Sequence, residues 1–436
     1  MAAAAAAAHL SLFPSLSPNP LKTPTRPRPL AAPANALECE RGVEFETGGS
    51  FFRRESAVGR DLGVLSAAIH FRSLSPGDDG SGIRVLDAMC GCGVRSLRYL
   101  AQAGADFVWA NDASEDCRPL ILSNLARHPR FSPEGRRRWA VTHLDANRVL
   151  AENYLRREFF DLVDVDSFGS DSSYMRLAIS TIRKGGLLYV TSTDGYSSGG
   201  HRPHCSLDSY GAYVRPMPFS NEVGLRMLIG GVLREAAALG YHILPLFSYY
   251  SYHGPVFRVM LKVNKGQLQD RSQYGFISYC HCCGNSQTFS WEEVGQISCT
   301  CRKGEVSKSI VVSGPLWTGP LHDAAHVTEM LLLATEWGWA CTNKKEDDLE
   351  KLLKQMIEEG DPLLHPGYIK LDEIARRGKM NTPPLSTLIN ALQKKGYAAS
   401  RSHIAHNAIK TNCPITKCIQ FAYELRHIAG TANRGT

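Results

Sequence analysis

A chain of 436 residues, 43% hydrophobic and 21% charged, has the composition of a soluble globular protein with room for two or three domains. Its longest apolar runs, such as Ile182 to Val190 and Met330 to Ala334, are broken by charge or glycine far short of a bilayer's width, which excludes a membrane-spanning protein. The formal charge of +7 suits a nucleic-acid partner without requiring one, and thirteen cysteines point to thiols or metal ligands rather than a disulfide framework.

Residues 1–37 stand apart from the rest. They are rich in Ala, Ser, Pro and Thr, carry Lys22, Arg26 and Arg28, and hold no acidic residue before Glu38. This composition resembles a transit peptide, and the Ser, Pro and Thr bias favours the chloroplast over the mitochondrion. A disordered tail on a nuclear or cytoplasmic protein is the alternative.

From Ile83 onward, short β-branched runs alternate with helical stretches, the pattern of a doubly wound parallel sheet. Strands are expected at Ile83 to Leu86, Phe107 to Ala110, Val141 to Leu144, Phe160 to Val165 and Gly186 to Thr191. Between the first two, a helix from Val94 to Ala103 places Val94, Leu97, Leu100 and Ala101 on one face. A helix from Glu222 to Leu239 follows, and Phe257 to Val263 reads as the edge strand that closes a domain of residues 38–265. Ligands of such sheets bind beyond the carboxyl ends of the strands, so Asp87, Asp112, Asp145, Asp166 and Thr191 should border one crevice.

Residues 266–320 are rich in Cys and Gly and read as a small subdomain. Residues 321–425 read as a helical domain, with helices at Val327 to Trp337, Leu349 to Glu359 and Leu385 to Gly396, and Tyr368 to Ala399 has a winged-helix-like cadence. Residues 426–436 form a tail.

The turn Asp87-Ala-Met-Cys-Gly91-Cys-Gly93 follows a strand and opens a helix, where glycines permit a tight turn and close approach to a ligand. Asn111-Asp112 ends the next strand, where a carboxylate can bind both hydroxyls of a ribose, and Ala113 lies beside it. Because Ser96 stands where a dinucleotide fingerprint has its last glycine, this pair fits S-adenosylmethionine better than a dinucleotide. Asp145-Ala146 ends the third strand, where an acid can accept from an adenine amino group while a small residue packs on the ring.

Asp164-Val-Asp166-Ser167-Phe168-Gly169 suits methylation of an exocyclic amino group, whose lone pair is delocalised into the base. A carboxylate and a main-chain carbonyl that accept both N–H bonds draw the lone pair toward the methyl donor, and the carboxylate takes up the proton. Asp166 is the expected acceptor and base, the Ser167 carbonyl the second acceptor, and Phe168 a face on which a flipped base stacks. Asp164 shares a strand face with Asp166 and is either its supporting partner or the base itself.

With this loop in place the chain resembles the tRNA (guanine26-N2)-dimethyltransferase family from about Phe51 to Ala408, and a plant-type organellar member in particular. The resemblance is carried by Phe52 to Leu62 with Arg60-Asp61, the glycine loop followed by Val94-Arg95-Ser96-Leu97-Arg98-Tyr99, Asn111-Asp112, Asp145-Ala146-Asn147, Thr191 to Gly195, Gly314 to Leu321 and Ala399 to His403. It implies a Rossmann-like class I S-adenosylmethionine-dependent methyltransferase domain with a small Cys-rich zinc subdomain and a helical, winged-helix-like C-terminal domain that binds tRNA. It also implies that Arg60, Asp112, Asp145 and Ala146 contact the cofactor and that Asp166 is catalytic. The implied activity adds one or two methyl groups to N2 of a guanosine, position 26, in tRNA. The family's loop reads Asp-Pro-Phe-Gly, whereas this chain has Ser167 in place of the proline, which removes a fixed φ. A catalytically weakened RNA-binding homologue, or an amino-methyltransferase of another nucleic acid, is the competing reading.

Cys280-x-x-Cys283, fifteen intervening residues and Cys299-x-Cys301 approach zinc-ribbon spacing, with Cys282 a substitute ligand and His281 an outside one. Four thiolates leave no open position, so the zinc would be structural. Arg376, Arg377, Lys379, Lys394, Lys395, Arg401 and Lys410 are candidate phosphate contacts.

Overall fold

The computed structural model describes residues 37–74, 82–266, 272–299, 301, 309–340 and 348–432. The leader expected at residues 1–37 lies outside the described residues except for Leu37. Fifteen strands are present among the described residues. Strands β1 (Leu37–Glu40) and β2 (Val43–Glu46) form a hairpin ahead of a long helix, Ala57–Ser73.

The central sheet contains β3 (Arg84–Asp87), β4 (Phe107–Asn111), β5 (Trp139–Thr142), β6 (Phe160–Asp166), β7 (Ile182–Ser192), β8 (Tyr241–Ser251) and β9 (Val256–Lys265). Their order is β5-β4-β3-β6-β7-β9-β8. The first five run parallel, and β9 is antiparallel to both of its neighbours. A parallel sheet covered on both faces demands near-continuous apolar strands, and β6 meets that demand, with all of Phe160 to Val165 buried. Helices Ala146–Leu155, Ser172–Ser180 and Ser220–Ala238 share one core with one face of the sheet, and helix Ala57–Ser73 shares a second core with the other.

Three expectations change. The edge strand is β8, which leaves 257–263 inside the penultimate strand β9. Pro245 and the bulge between Pro245 and Phe247 are tolerated because an edge strand needs no donor on its outer side, and they hide β8 from a pattern search. The stretch after Gly93 is an α-helix only over Val94–Arg98, continuing as a π-turn through Tyr99–Ala103 to Gly104. Helices Ala324–Glu336 and Asp348–Glu359 lie not with the C-terminal module but in the core on one face of the central sheet, where Val327, Met330, Leu353 and Met356 cluster with Leu62 and Leu97.

The Cys-rich segment is a sheet ordered β11-β10-β12, from β10 (Tyr274–Cys280), β11 (Ser286–Phe289) and β12 (Ile310–Trp317). Leu316 packs in the same core as Leu228 of helix Ser220–Ala238. The C-terminal module has its own core and the strand-helix-helix-strand-strand order expected of a winged helix: β13 (Ile369–Lys370), two helices (Leu371–Gly378 and Leu385–Lys394), β14 (Ala399–Arg401) and β15 (Ala408–Thr411), with a last helix Ile415–Ala432.

Buried charge joins this module to the domain of the central sheet. Glu222 accepts from Lys410 Nζ at 2.7 Å, Arg226 Nε at 2.8 Å and the Gly367 amide at 2.7 Å. Burial would raise its carboxyl, but Lys410 and Arg226 outweigh that and hold it down at about 2. Lys410 is therefore not a phosphate contact: its buried ammonium is consumed by Glu222. Close by, His403 Nδ1 lies 2.9 Å from Glu359 Oε1, and His322 Nδ1 faces the Ser248 amide at 3.4 Å. His322, Glu359 and His403 are all buried and converge, with His322 Nε2, Glu359 Oε2 and His403 Nε2 left without a hydrogen-bond partner among the described residues.

Candidate active site

The strand ends converge as the topology requires. Beyond β3 the chain turns through Gly91 (φ 57°) and Gly93 (φ 81°), left-handed conformations that favour glycine, and Gly93 caps helix Val94–Arg98. Asp112 braces this loop: Oδ2 accepts from the Gly91 amide at 2.9 Å and Oδ1 from the Ser114 amide at 2.9 Å. Asn111 stitches three strand ends together. Its amide donates to the carbonyls of Ala88 (3.0 Å) and Leu144 (2.9 Å), and its oxygen accepts from Thr142 Oγ1 (2.8 Å) and the Leu144 amide (3.1 Å), so the buried side chain is satisfied on all four counts.

Asp145 caps helix Ala146–Leu155 through the amides of Asn147 (2.9 Å) and Arg148 (3.3 Å), with Ala146 buried beneath it and Asp145 itself exposed. Ala113 is exposed at the crevice rim. Arg60 is held in a fork by Glu40 and donates to the Arg53 carbonyl at 3.0 Å, with its guanidinium 4.8 Å from the Phe52 ring centroid. Asp87 does not open into the crevice. Fully buried, it accepts from Ser96 Oγ at 2.7 Å and holds the glycine loop from below. Burial and the neighbouring Asp164 push its carboxyl well up.

The two acids of β6 are not equivalent. Asp164 is 0% exposed and both its oxygens are taken, Oδ1 by Arg95 Nη1 at 3.0 Å and Oδ2 by the Tyr99 hydroxyl at 2.8 Å. It cannot meet a substrate. Asp166 is held at Oδ2 by Arg95 Nη2, retains 29% side-chain exposure and presents its other oxygen without a partner among the described residues. Of the two acids, only Asp166 is placed to take a proton from a bound base.

The loop beyond is pinned by hydrogen bonds. Ser167, buried, donates through Oγ to the Thr191 carbonyl at 3.3 Å. The Gly169 amide donates to Thr193 Oγ1 at 2.6 Å, and its carbonyl accepts from Ser192 Oγ at 2.9 Å. Phe168 is left 68% exposed. Its ring meets Phe51, itself 52% exposed, edge to face at 4.7 Å. Sequence reasoning missed Phe51, which sits about a hundred residues away with no periodic pattern; two exposed phenylalanines on one rim are the feature a base-stacking site needs. Arg95, too, carries no signal of a site role in the sequence, because only folding brings it to Asp164 and Asp166.

In the Cys-rich sheet, Cys280, Cys283, Cys299 and Cys301 come together. Their sulfurs lie 3.7 Å (Cys280 to Cys301), 3.4 Å (Cys283 to Cys299) and 3.4 Å (Cys299 to Cys301) apart. Tetrahedral zinc with four thiolates sets an edge of about 3.8 Å, so the donor set fits that metal. Cys282 and His281 stay outside this group, and their carbonyls accept from Arg377 at 2.6 and 3.1 Å. Arg377, expected on a phosphate, instead locks the helix Leu371–Gly378 onto this turn.

A parallel sheet of this order, with a glycine loop after its first parallel strand, an acid ending the second and a pinned acidic loop ending the fourth, defines a Rossmann-like class I S-adenosylmethionine-dependent methyltransferase domain. The family model for N2,N2-dimethylguanosine tRNA methyltransferase matches residues 41–423, and the chain belongs to that family. The tRNA (guanine(26)-N(2))-dimethyltransferase of Pyrococcus horikoshii is 31% identical over 374 residues, spanning 84% of this chain and 90% of the relative. That of Thermococcus kodakarensis is 30% identical over 377 residues, with 84% and 90% covered. The solved structure of Trm1 from Pyrococcus horikoshii with S-adenosyl-L-methionine superimposes with a TM-score of 0.72 at 27% identity, covering 88% of this chain and 99% of that one.

Behind the loop, burial pushes the Asp171 carboxyl up to about 7. The folded protein thus keeps a proton there that the unfolded chain releases near 3.8, so stability from this group falls as pH rises through that window and levels off above it. Asp171→Asn, which cannot ionise, is expected to gain on the parent by about 2–4 kcal/mol between pH ~4 and pH ~8. Urea denaturation at the two pH values checks this, and a difference that is the same at both contradicts it.

Proposed function

We propose that the protein transfers methyl groups from S-adenosylmethionine to the exocyclic N2 of a guanosine in tRNA, at position 26 by kinship with the curated relatives. The observation that carries this is Asp166: one oxygen clamped, the other open, at the lip of a loop bearing Phe168 and facing Phe51.

The cofactor supplies an electrophilic methyl group. Gly91, Asp112, Ala113, Asp145 and Ala146 line the crevice that would hold its nucleoside, and Gly91 leaves open space where a side chain would begin. Arg60 and Asp87 keep the wall of that crevice in place. The open oxygen of Asp166 and the Ser167 carbonyl accept the two N–H bonds of the guanine amino group, turning its lone pair toward the methyl carbon. As the N–C bond forms and the S–C bond breaks, nitrogen becomes cationic and strongly acidic. Asp166 then takes the proton and passes it to solvent. A second transfer repeats these steps with one N–H remaining. Phe168 and Phe51 supply apolar faces for the extruded base.

The relatives' names carry the substrate to tRNA, and the winged-helix-like module, locked in place by Glu222 and Arg377, is the surface we assign to it. Structural zinc on Cys280, Cys283, Cys299 and Cys301 would hold the turn that Arg377 grips. Residues 1–37 would direct the protein to the chloroplast, on the composition already described.

Wild-type protein incubated with tRNA and S-adenosylmethionine should yield N2-methyl- and N2,N2-dimethylguanosine in nucleoside mass spectrometry, and Asp166→Ala should lower the yield by about 100-fold or more. Absence of both nucleosides from the wild-type reaction would refute the reading. Elemental analysis should find one zinc per chain, lost in Cys280→Ser/Cys283→Ser; a metal-free wild type, refolded with zinc and still empty, removes the zinc. A fluorescent fusion to residues 1–37 should enter chloroplasts, and mitochondrial or cytoplasmic signal overturns that assignment.

A further inference from the structure

We infer that Arg95 is a positioning residue for methyl transfer, fixing through Asp164 which oxygen of Asp166 meets the substrate amino group. This rests on the function just proposed and adds a residue that neither the loop nor the cofactor crevice contains.

Three features carry it. Asp164 is immobile: it is 0% exposed, lies in the middle of a parallel sheet and spends both oxygens on Arg95 Nη1 (3.0 Å) and Tyr99 (2.8 Å). Arg95 is fixed in turn, with 7% side-chain exposure and a planar guanidinium whose two ends take one carboxylate each. Asp166 alone is mobile by position, at the strand's end with 29% of its side chain exposed. Left to itself it would turn its carboxylate toward water and spread over several rotamers, and ordering it in the reaction would cost free energy. The guanidinium removes that freedom by occupying Oδ2, which leaves Oδ1 for the incoming N–H.

The spacing explains why one arginine suffices. Residues two apart on a strand point to the same face, so Asp164 and Asp166 lie side by side within reach of a single fork. The other charged and titratable groups around Arg95 are Asp87 beneath the glycine loop and the hydroxyls of Tyr99 and Tyr189. Arg258 on β9, buried with Nε and Nη1 unpartnered, acts on Asp164 but makes no hydrogen bond to either acid. Among the described residues, Arg95 is the side chain that bonds to both acids.

Removing Arg95 alone would leave Asp164 buried and uncompensated, which threatens folding. The test therefore pairs Arg95→Gln with Asp164→Asn, neutralising both partners while keeping their shapes, alongside Arg95→Lys, which keeps the charge but loses the fork. S-adenosylmethionine affinity is read by calorimetry, and single-turnover methyl transfer is read at saturating tRNA and cofactor. The double variant should bind the cofactor within about threefold of wild type and transfer about 100-fold more slowly. Arg95→Lys should fall between the two. A double variant, or Arg95→Lys should the double variant not fold, that transfers within about threefold of wild type overturns the inference. If wild type itself forms no N2-methylguanosine, the proposed function fails rather than the role of Arg95.

Discussion

The carboxylate of Asp164 is fully buried within a parallel sheet, and much of the site follows from what it requires. A buried carboxylate must be paired and hydrogen-bonded or it will not remain charged. Tyr99 and Arg95 meet that need, and both come from the segment that follows the glycine loop. The same contacts therefore tie the cofactor loop to the catalytic strand, and Arg95 extends the tie to Asp166. Asp87 joins from below, its carboxyl raised by burial and by Asp164 and accepting from Ser96.

Ser167 draws attention because the family loop that the chain resembles has proline there. Proline rigidifies a turn by fixing one dihedral. Here the restraint is distributed: Ser167 bonds to the Thr191 carbonyl, Thr193 receives the Gly169 amide, and Ser192 donates to the Gly169 carbonyl. The end of β7 thus restrains this loop without a proline ring. Among the described residues no hydrogen bond reaches the carbonyl of Ser167, which is thus available as an acceptor of N–H bonds.

Much of this was legible in the sequence where local chemistry is self-announcing. The apolar run of β6, glycines at 91 and 93, and acids at successive strand ends each follow from one requirement, and four cysteines with recognisable spacing follow from another. What stayed hidden depended on partners distant in sequence. Arg95 reads as one more basic residue on a helix, and only folding brings it to acids 69 and 71 residues away. Phe51 belongs to no periodic element. Lys410 and Arg377 look like phosphate contacts until Glu222, 188 residues from Lys410, and the carbonyls of His281 and Cys282 are seen to consume them. The edge strand carries a proline that argues against a central strand, and helices 324–336 and 348–359 bear apolar faces that do not say which core they join.

The central claim is that the open oxygen of Asp166 and the Ser167 carbonyl act on an exocyclic amino group of guanine. Inosine lacks that group and is otherwise the same base. Methyl incorporation into a tRNA whose target guanosine is replaced by inosine, measured beside the unmodified tRNA at equal binding, tests the claim most directly. The account predicts no incorporation at that position with unchanged affinity, and transfer to the inosine-bearing position would contradict it.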